Sequence, residues 1–212
     1  MRGGLCRALD GYIWGTTVMQ ESENPSEIGQ WYFYGMSRRK NYRKAFPYLL
    51  EAAKLGDAHC QNLVGYCYNL GLGVRRNHSL ALSWYQKAAK SHHVEALFNL
   101  AQLYEQGVGV KVNHKKAFSF YKRAADLGAE FAQCNLGVSY LEGLGIKQNL
   151  AKGIEWMRRA ARKGDSKAQY NLGMAYLDGE GVRKNNRNAQ IWLEKAAKQG
   201  HKQAVSALRR AI

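Results

Sequence analysis

The sequence predicts an all-α solenoid, and three observations carry that prediction. A 36-residue period runs through most of the chain without insertions, glycines recur at fixed places within that period, and proline is nearly absent. Only Pro25 and Pro47 interrupt 212 residues, so helices meet few breakers, while the 22 glycines punctuate something regular. A hydrophobic content of 46% is enough for a sizeable core and speaks for a folded chain.

The period is read by self-comparison. Segment 164–198, GDSKAQYNLGMAYLDGEGVRKNNRNAQIWLEKAAK, is echoed without gaps by 128–162, 92–126 and 56–90. Gly71, Gly107, Gly143 and Gly179 form one column; Tyr68, Tyr104, Tyr140 and Tyr176 another; Ala88, Ala124, Ala160 and Ala196 a third. A weaker copy near 22–57 places Gly29, Tyr32, Gly35, Asn41, Ala45 and Ala52-Ala53 in register. The expected units are 22–57, 58–93, 94–129, 130–165 and 166–200. Ala204 and Leu208 continue the columns of Ala168 and Leu172, so 201–212 is expected to be a capping helix over the open end of the stack. Residues 1–21 remain an N-terminal segment that a degenerate capping helix would fit.

Each unit is expected to hold two helices. Ala168, Leu172 and Tyr176 at i, i+4 and i+8 make the apolar stripe of a first helix, A. Gly179 suits the left-handed position that ends it, where a side chain would be strained. A GxGV turn follows, whose Val74, Val110, Ile146 and Val182 are expected to tuck between helices. An asparagine then precedes a second stripe in every unit: Asn41, Asn77, Asn113, Asn149 and Asn185. Asparagine caps helix N-termini by accepting from unpaired backbone N–H groups, so helix B starts there. Along helix B, small alanines permit close approach, and the column Tyr48, Trp84, Phe120, Trp156 and Trp192 is expected in the core.

The pattern AxxxNLGxxYxxGxGV, a capping residue, then KAxxWYxKAA resembles the Sel-1-like repeat family, a branch of the tetratricopeptide superfamily. The resemblance covers about residues 22–212. It implies a right-handed superhelix of antiparallel helix pairs whose concave face, lined by helix A, holds a partner protein or peptide, in an adaptor or scaffold role. Three departures stand out. The family generally has Asp where this chain has five Asn caps, which keeps the capping geometry and removes negative charge. Cysteine-stapled relatives repeat paired cysteines in every unit, and no such ladder is present here. The first unit also carries Gly35-Met36-Ser37 in place of the glycine pair.

Lys and Arg number 32 against 16 Asp and Glu, a formal charge of +16. Residues 147–212 hold 15 of the basic residues and 5 of the acidic ones, so the C-terminal third is the basic end. Such an excess attracts acidic proteins or nucleic acid and says nothing about fold. Cys6, Cys60, Cys67 and Cys134 occupy no shared repeat position and are read as free thiols, which implies a reducing compartment. Neither a secretory signal nor an apolar run long enough to span a membrane is visible, so a cytoplasmic, monomeric protein is expected. The glycine turns follow helices and lack a GK[ST], which argues against a nucleotide site. His59, His78, His92, His93, His114 and His201 show no metal-ligand spacing, no cofactor is implied, and no catalytic arrangement is identifiable, so the chain is read as a non-enzyme.

Function is then sought on helix A, where positions not used by the core change type from unit to unit. Spacings of three and four select His59, Asn62, Tyr66 and Leu70 in one unit and Glu95, Phe98, Gln102 and Gln106 in the next. Phe131, Cys134, Val138 and Glu142 follow, then Lys167, Tyr170, Met174 and Asp178. Variation on a fixed frame is what recognition of one partner requires, with large side chains as anchors. Phe131 stands out because its column is otherwise polar. Phe98 and Tyr170 share a column and have a competing role in packing adjacent A helices. A basic column, Arg39, Arg75, Lys111, Lys147 and Arg183 with Lys184, lies just before each cap and is expected along a loop edge. The principal expectation is an adaptor binding a protein or peptide of acidic character in the groove. The alternative is nucleic-acid or other polyanion binding through the basic C-terminal third.

Overall fold

A computed structural model describes residues 24–36 and 39–211, and among these it contains eleven α-helices and no strand. They pair as α1 (Pro25–Tyr34) with α2 (Tyr42–Lys54), α3 (Ala58–Leu70) with α4 (His78–Lys90), and α5 (Val94–Gln106) with α6 (His114–Asp126). Next come α7 (Glu130–Glu142) with α8 (Leu150–Arg162), α9 (Ser166–Asp178) with α10 (Asn186–Lys198), and the lone α11 (Lys202–Ala211). The fold is an all-α repeat solenoid of five helix pairs and a final helix. The capping helix considered for residues 1–21 lies outside the described residues. The chain divides into two compact units, 1–84 and 85–212, with the boundary inside α4.

Every helix B starts where the asparagines place it. The Oδ1 of Asn41, Asn77, Asn113, Asn149 and Asn185 accepts from the backbone N–H three residues on, at 2.9–3.0 Å. Each asparagine also gives its own N–H to the carbonyl of the tyrosine nine residues earlier: Tyr32, Tyr68, Tyr104, Tyr140 or Tyr176. The turn is thereby tied at both ends. Gly35, Gly71, Gly107, Gly143 and Gly179 end the A helices with φ of 72–78°. Gly35 thus fulfils this role although its unit lacks the second glycine.

That second glycine has a different reason, missed in the sequence. A Cβ on Gly73 would strike the Tyr42 carbonyl, and one on Gly145 would strike the His114 carbonyl, both well inside 3.0 Å. The turn therefore sits directly on the first residues of the preceding helix B. Within helix A, the glycine of NLG lets the two helices of a pair close up. A Cβ at Gly137 would meet Met157 Cγ at 2.8 Å, and one at Gly173 would meet Leu193 Cγ at 2.7 Å.

Two core expectations need correction. Tyr48 is exposed, and Trp84, Phe120, Trp156 and Trp192 are only partly buried. The inner line is the next residue along helix B: Leu49, Tyr85, Tyr121, Met157 and Leu193, each at most 2% exposed. One residue turns the side chain by about 100°, which carries the Tyr48 column to the shoulder of the interface and the next residue to its centre. Cations from the next turn cover those rings, with Arg159 4.5 Å from the Trp156 centroid and Lys195 4.5 Å from that of Trp192. With Arg123 over the Phe120 ring at 5.8 Å, these cations near the end of helix B serve packing. Among the turn residues, Val74, Val110 and Val182 are partly buried, whereas Ile146 stays 38% exposed.

Candidate partner-binding faces

In the unit 85–212, α5, α7 and α9 lie side by side. Phe98 of α5 meets Phe131 of α7 edge to face, with centroids 4.7 Å apart, and Lys167 Nζ of α9 donates to Asn135 Oδ1 of α7 at 3.2 Å. Their shared columns are buried: Ala96, Leu100, Ala132, Leu136, Ala168 and Leu172 all have 0% exposure. The variable columns form the remaining face. Glu95, Gln106, Glu142, Lys167 and Asp178 are exposed, and Phe98, Gln102, Phe131, Val138, Tyr170 and Met174 are half-buried.

Several of these residues have packing roles that sequence reasoning did not foresee. Phe131 is not idle: besides its contact with Phe98, it belongs to an aromatic chain that continues from Phe98 to Tyr121 at 5.7 Å. Tyr170 stacks on His201 at 4.6 Å, and Tyr170 and Met174 both pack into the core under α11. The role of Phe98 and Tyr170 between successive elements, weighed against a binding role, is therefore occupied. Cys134 is 1% exposed and leaves the face altogether.

In the unit 1–84, His59 Nε2 and the Tyr34 hydroxyl share a hydrogen bond of 3.1 Å with stacked rings. Tyr66 and Leu70 are exposed, and Asn62 is buried and leaves the predicted set. Ser26 ties α1 to α3 by donating to Asp57 Oδ2 at 2.7 Å. Burial alone would raise the Asp57 carboxyl, but the Cys60 N–H, the Ser26 hydroxyl and nearby His59 hold it below its ordinary value.

A buried glutamine column was also overlooked. Gln61, Gln133 and Gln169 donate through Nε2 to the carbonyls of Ala53, Ala125 and Ala161, binding each helix A to the end of the helix B before it. Their recurrence at one repeat position, with Pro25 and Leu97 in the other two units, is a signal the sequence does contain.

Arg39, Arg75, Lys111, Lys147, Arg183 and Lys184 are all exposed on turns, as expected. Other cations are engaged: Lys163 Nζ donates to Gly128 O at 2.6 Å, Arg123 to Ala89 O at 3.0 Å, and Arg159 pairs with Glu155 at 2.6 Å. Cys60, Cys67 and Cys134 are free and buried, and burial pushes their thiols up to about 11, 12 and 12. Thiols so shifted are inert as nucleophiles at neutral pH. Among the described residues, no cluster of His, Cys, Asp or Glu has metal-binding geometry, and no helix is long and apolar enough to cross a membrane.

The model of the Sel1 repeat matches residues 26–57, 58–93, 94–128, 131–165 and 166–201. Among solved structures, a Sel1 repeat protein from Oxalobacter formigenes is 30% identical, with a TM-score of 0.82, covering 92% of this chain and 77% of that one. A protective antigen of uropathogenic Escherichia coli strains, displaying an SLR fold, is 34% identical with a TM-score of 0.81 over 87% of this chain. This chain spans only 39% of that antigen's length. An immunity protein from Pseudomonas aeruginosa shares the fold, with a TM-score of 0.56 at 20% identity over 84% of this chain and 68% of that one. Comparison with curated proteins gives no match.

Proposed function

The chain belongs to the Sel1 repeat family, whose members commonly act as non-catalytic scaffolds for protein–protein interaction, and on that premise we propose that it is an adaptor binding a protein or peptide across the face of α5, α7 and α9. One observation carries this reading. The helix A columns that repeat are buried, while most of those that vary are left at least partly open, so a common frame displays an individual surface. Glu95, Gln102, Glu142, Lys167 and Asp178 supply polar contacts, and the half-open rings of Phe131 and Tyr170 supply apolar area. The positive charge of the chain as a whole, rather than of this face, supports a partner of acidic character through long-range attraction. The free, buried thiols support a reducing, cytoplasmic setting.

Spread of the cations over turns, helix ends and packing contacts supports this reading over a nucleic-acid track. The test is affinity capture from native lysate, with and without nuclease, using the wild-type chain and a Glu95→Lys/Lys167→Glu variant. A protein retained after nuclease treatment and lost with the variant is the expected result. Capture that disappears with nuclease would replace the adaptor by a polyanion binder.

A further inference from the structure

The last turn departs from the repeat in a way that opens a site. In three units a lysine three residues after the cap lies over the tyrosine of helix A: Lys44 over Tyr32 at 5.7 Å, Lys116 over Tyr104 at 5.0 Å and Lys152 over Tyr140 at 5.8 Å. In the last unit that position is Asn188, too short to cover Tyr176. Arg158 of α8 takes the place over the ring at 5.9 Å, with Nη2 donating to the Tyr176 hydroxyl at 3.1 Å. The equivalent residue one unit earlier, Lys122, is bound to Asp126 in its own helix at 2.6 Å. Four residues after Arg158 comes Arg162, so the same partner is missing and the guanidinium turns toward α9 instead.

The turn itself is also seated less tightly on the helix beneath it than the turn one unit earlier. A Cβ at Gly145 would collide with the His114 carbonyl, whereas at Gly181 it would lie 3.0 Å from Ile154 Cγ1, 3.1 Å from Leu150 Cβ and 3.2 Å from the Leu150 carbonyl. Beside this turn lies a hollow of about 540 Å³, bordered by Arg158, Tyr176, Arg183, Lys184, Asn185 and Asn188. Three cations converge there, no carboxylate lines it, and none of the three pairs with a carboxylate among the described residues. The Asn185 Oδ1 is already used in capping, which leaves its amide N–H₂ as a donor, and the Tyr176 hydroxyl accepts from Arg158 and keeps its proton to give. The lining thus offers donors and positive charge at the N-terminus of α10, whose dipole favours an anion.

We propose that this hollow is a subsite for an oxyanion carried by a peptide, a carboxylate or a phosphomonoester, held by Arg158, Arg183 and Lys184. The inference deepens the adaptor reading by naming the partner's chemistry, and rests on it for the peptide as source. It lies on the α9–α10 turn and borders none of the variable residues of α5, α7 and α9, so the two surfaces can be tested apart.

The experiment titrates the purified full chain with an N-acetylated tetraglutamate peptide, a peptide bearing one phosphoserine, and their glutamine and serine counterparts. Affinity is followed calorimetrically at physiological ionic strength, and amide resonances are followed by NMR. The acidic or the phosphorylated probe binds, its neutral counterpart does not, and the side-chain amides of Asn185 and Asn188 shift. The tighter of the two probes identifies the oxyanion. Arg158→Gln weakens binding about tenfold, the scale of one charge-assisted bidentate contact, whereas Lys147→Gln, which removes the same charge from the turn one unit earlier, changes it less than about twofold. Asn188→Lys restores the covering lysine and weakens binding even though it adds positive charge. Equal losses for Arg158→Gln and Lys147→Gln, tighter binding by Asn188→Lys, or no preference for charged probes would overturn the subsite. Loss of partner capture by the Glu95→Lys/Lys167→Glu variant leaves these probe affinities unchanged, which keeps a failure of the adaptor reading distinct from a failure of this one.

Discussion

Asn149 and Tyr140 are bound backbone to backbone: the asparagine N–H donates to the tyrosine carbonyl at 2.8 Å, while the asparagine side chain caps α8 through the Lys152 N–H at 2.9 Å. One residue thus closes the turn behind it and starts the helix ahead. The backbone bond needs no particular side chain, so Asn149→Ala is expected to keep the turn and lose only the cap. Asn149→Ala should lower stability by about 1 kcal/mol, and Asn149→Asp should be neutral or slightly stabilising near pH 7 because a carboxylate suits the helix dipole. Chemical unfolding of both variants measures this.

The opposite end of the repeat holds a missing cap. Asp57 and Asp165 cap α3 and α9 through the N–H groups of Cys60 and Ala168, at φ, ψ of −60°, 110° and −61°, 116°. Ala129 has the same backbone, −67° and 116°, and no side chain to cap with. Ala129→Asp is therefore expected to stabilise by roughly 0.5–1 kcal/mol. A capping carboxylate has a folded pKa below its unfolded value, so the gain is present above about pH 4 and disappears as pH falls through the folded value. Equal midpoints for wild type and variant at pH 7 would remove the explanation.

A neighbouring column holds strain. Gly56, Gly128, Gly164 and Gly200 have φ between 83° and 102°, and in the remaining unit His92 stands at φ 57°. His92→Gly is expected to stabilise, by up to about 1 kcal/mol, because relief of the left-handed strain outweighs the added freedom of the unfolded chain. The converse substitution, Gly164→Ala, should destabilise by about 1 kcal/mol through φ alone, since a Cβ there meets nothing within 4 Å. Gly145→Ala should cost clearly more than Gly143→Ala. Both have positive φ, but only Gly145 presses on a neighbouring backbone.

The buried thiols give a chemical readout of opening. With Cys6→Ser to remove the cysteine outside the described residues, alkylation of the native chain at pH 8 should be at least about a hundredfold slower than that of the unfolded chain, because burial holds the thiols near 11–12 and the thiolate reacts. Mass spectrometry after timed quenching checks it. Rapid labelling of Cys134 would mean that α7 does not bury it as described.

Caps, turns and register were legible because each is written in a few adjacent residues and then repeated five times. The position of a side chain across the helix axis was not so legible. Trp156 and Met157 are both apolar and adjacent, and the period of 3.6 does not say which of the two meets the centre of the interface; the crossing of α7 over α8 at Gly137 and Gly153 decides it. Phe131 reads as a lone apolar residue in a polar column, yet its partner Phe98 lies in a different column, which only the offset between successive A helices brings together. The hollow beside Arg158 depends on three separate departures, at residues 158, 162 and 188, whose combination is spatial.

These contacts change which substitutions can test the binding face. Phe131→Ala, Tyr170→Ala and Met174→Ala each remove packing as well as surface, from the Phe98 ring or from beneath α11, so each is expected to lower the unfolding free energy by about 1–3 kcal/mol. A loss of binding in those variants alone would be ambiguous. Glu95, Glu142, Lys167 and Asp178 are exposed. Reversal of Glu95 and Lys167 should abolish capture of a partner seated on α5, α7 and α9 while the unfolding free energy moves by less than about 0.5 kcal/mol. Arg183→Gln with Lys184→Gln should instead weaken the complex, by removing two of the three cations that hold the oxyanion, and should flatten the salt dependence of association, because exposed charges also steer encounter. Kinetics at two salt concentrations separate the two effects. If the Glu95 and Lys167 reversal leaves capture intact while the Arg183 and Lys184 pair eliminates it in a nuclease-sensitive manner, the helix A face is not the binding surface, and the basic turns bind a polyanion in its place.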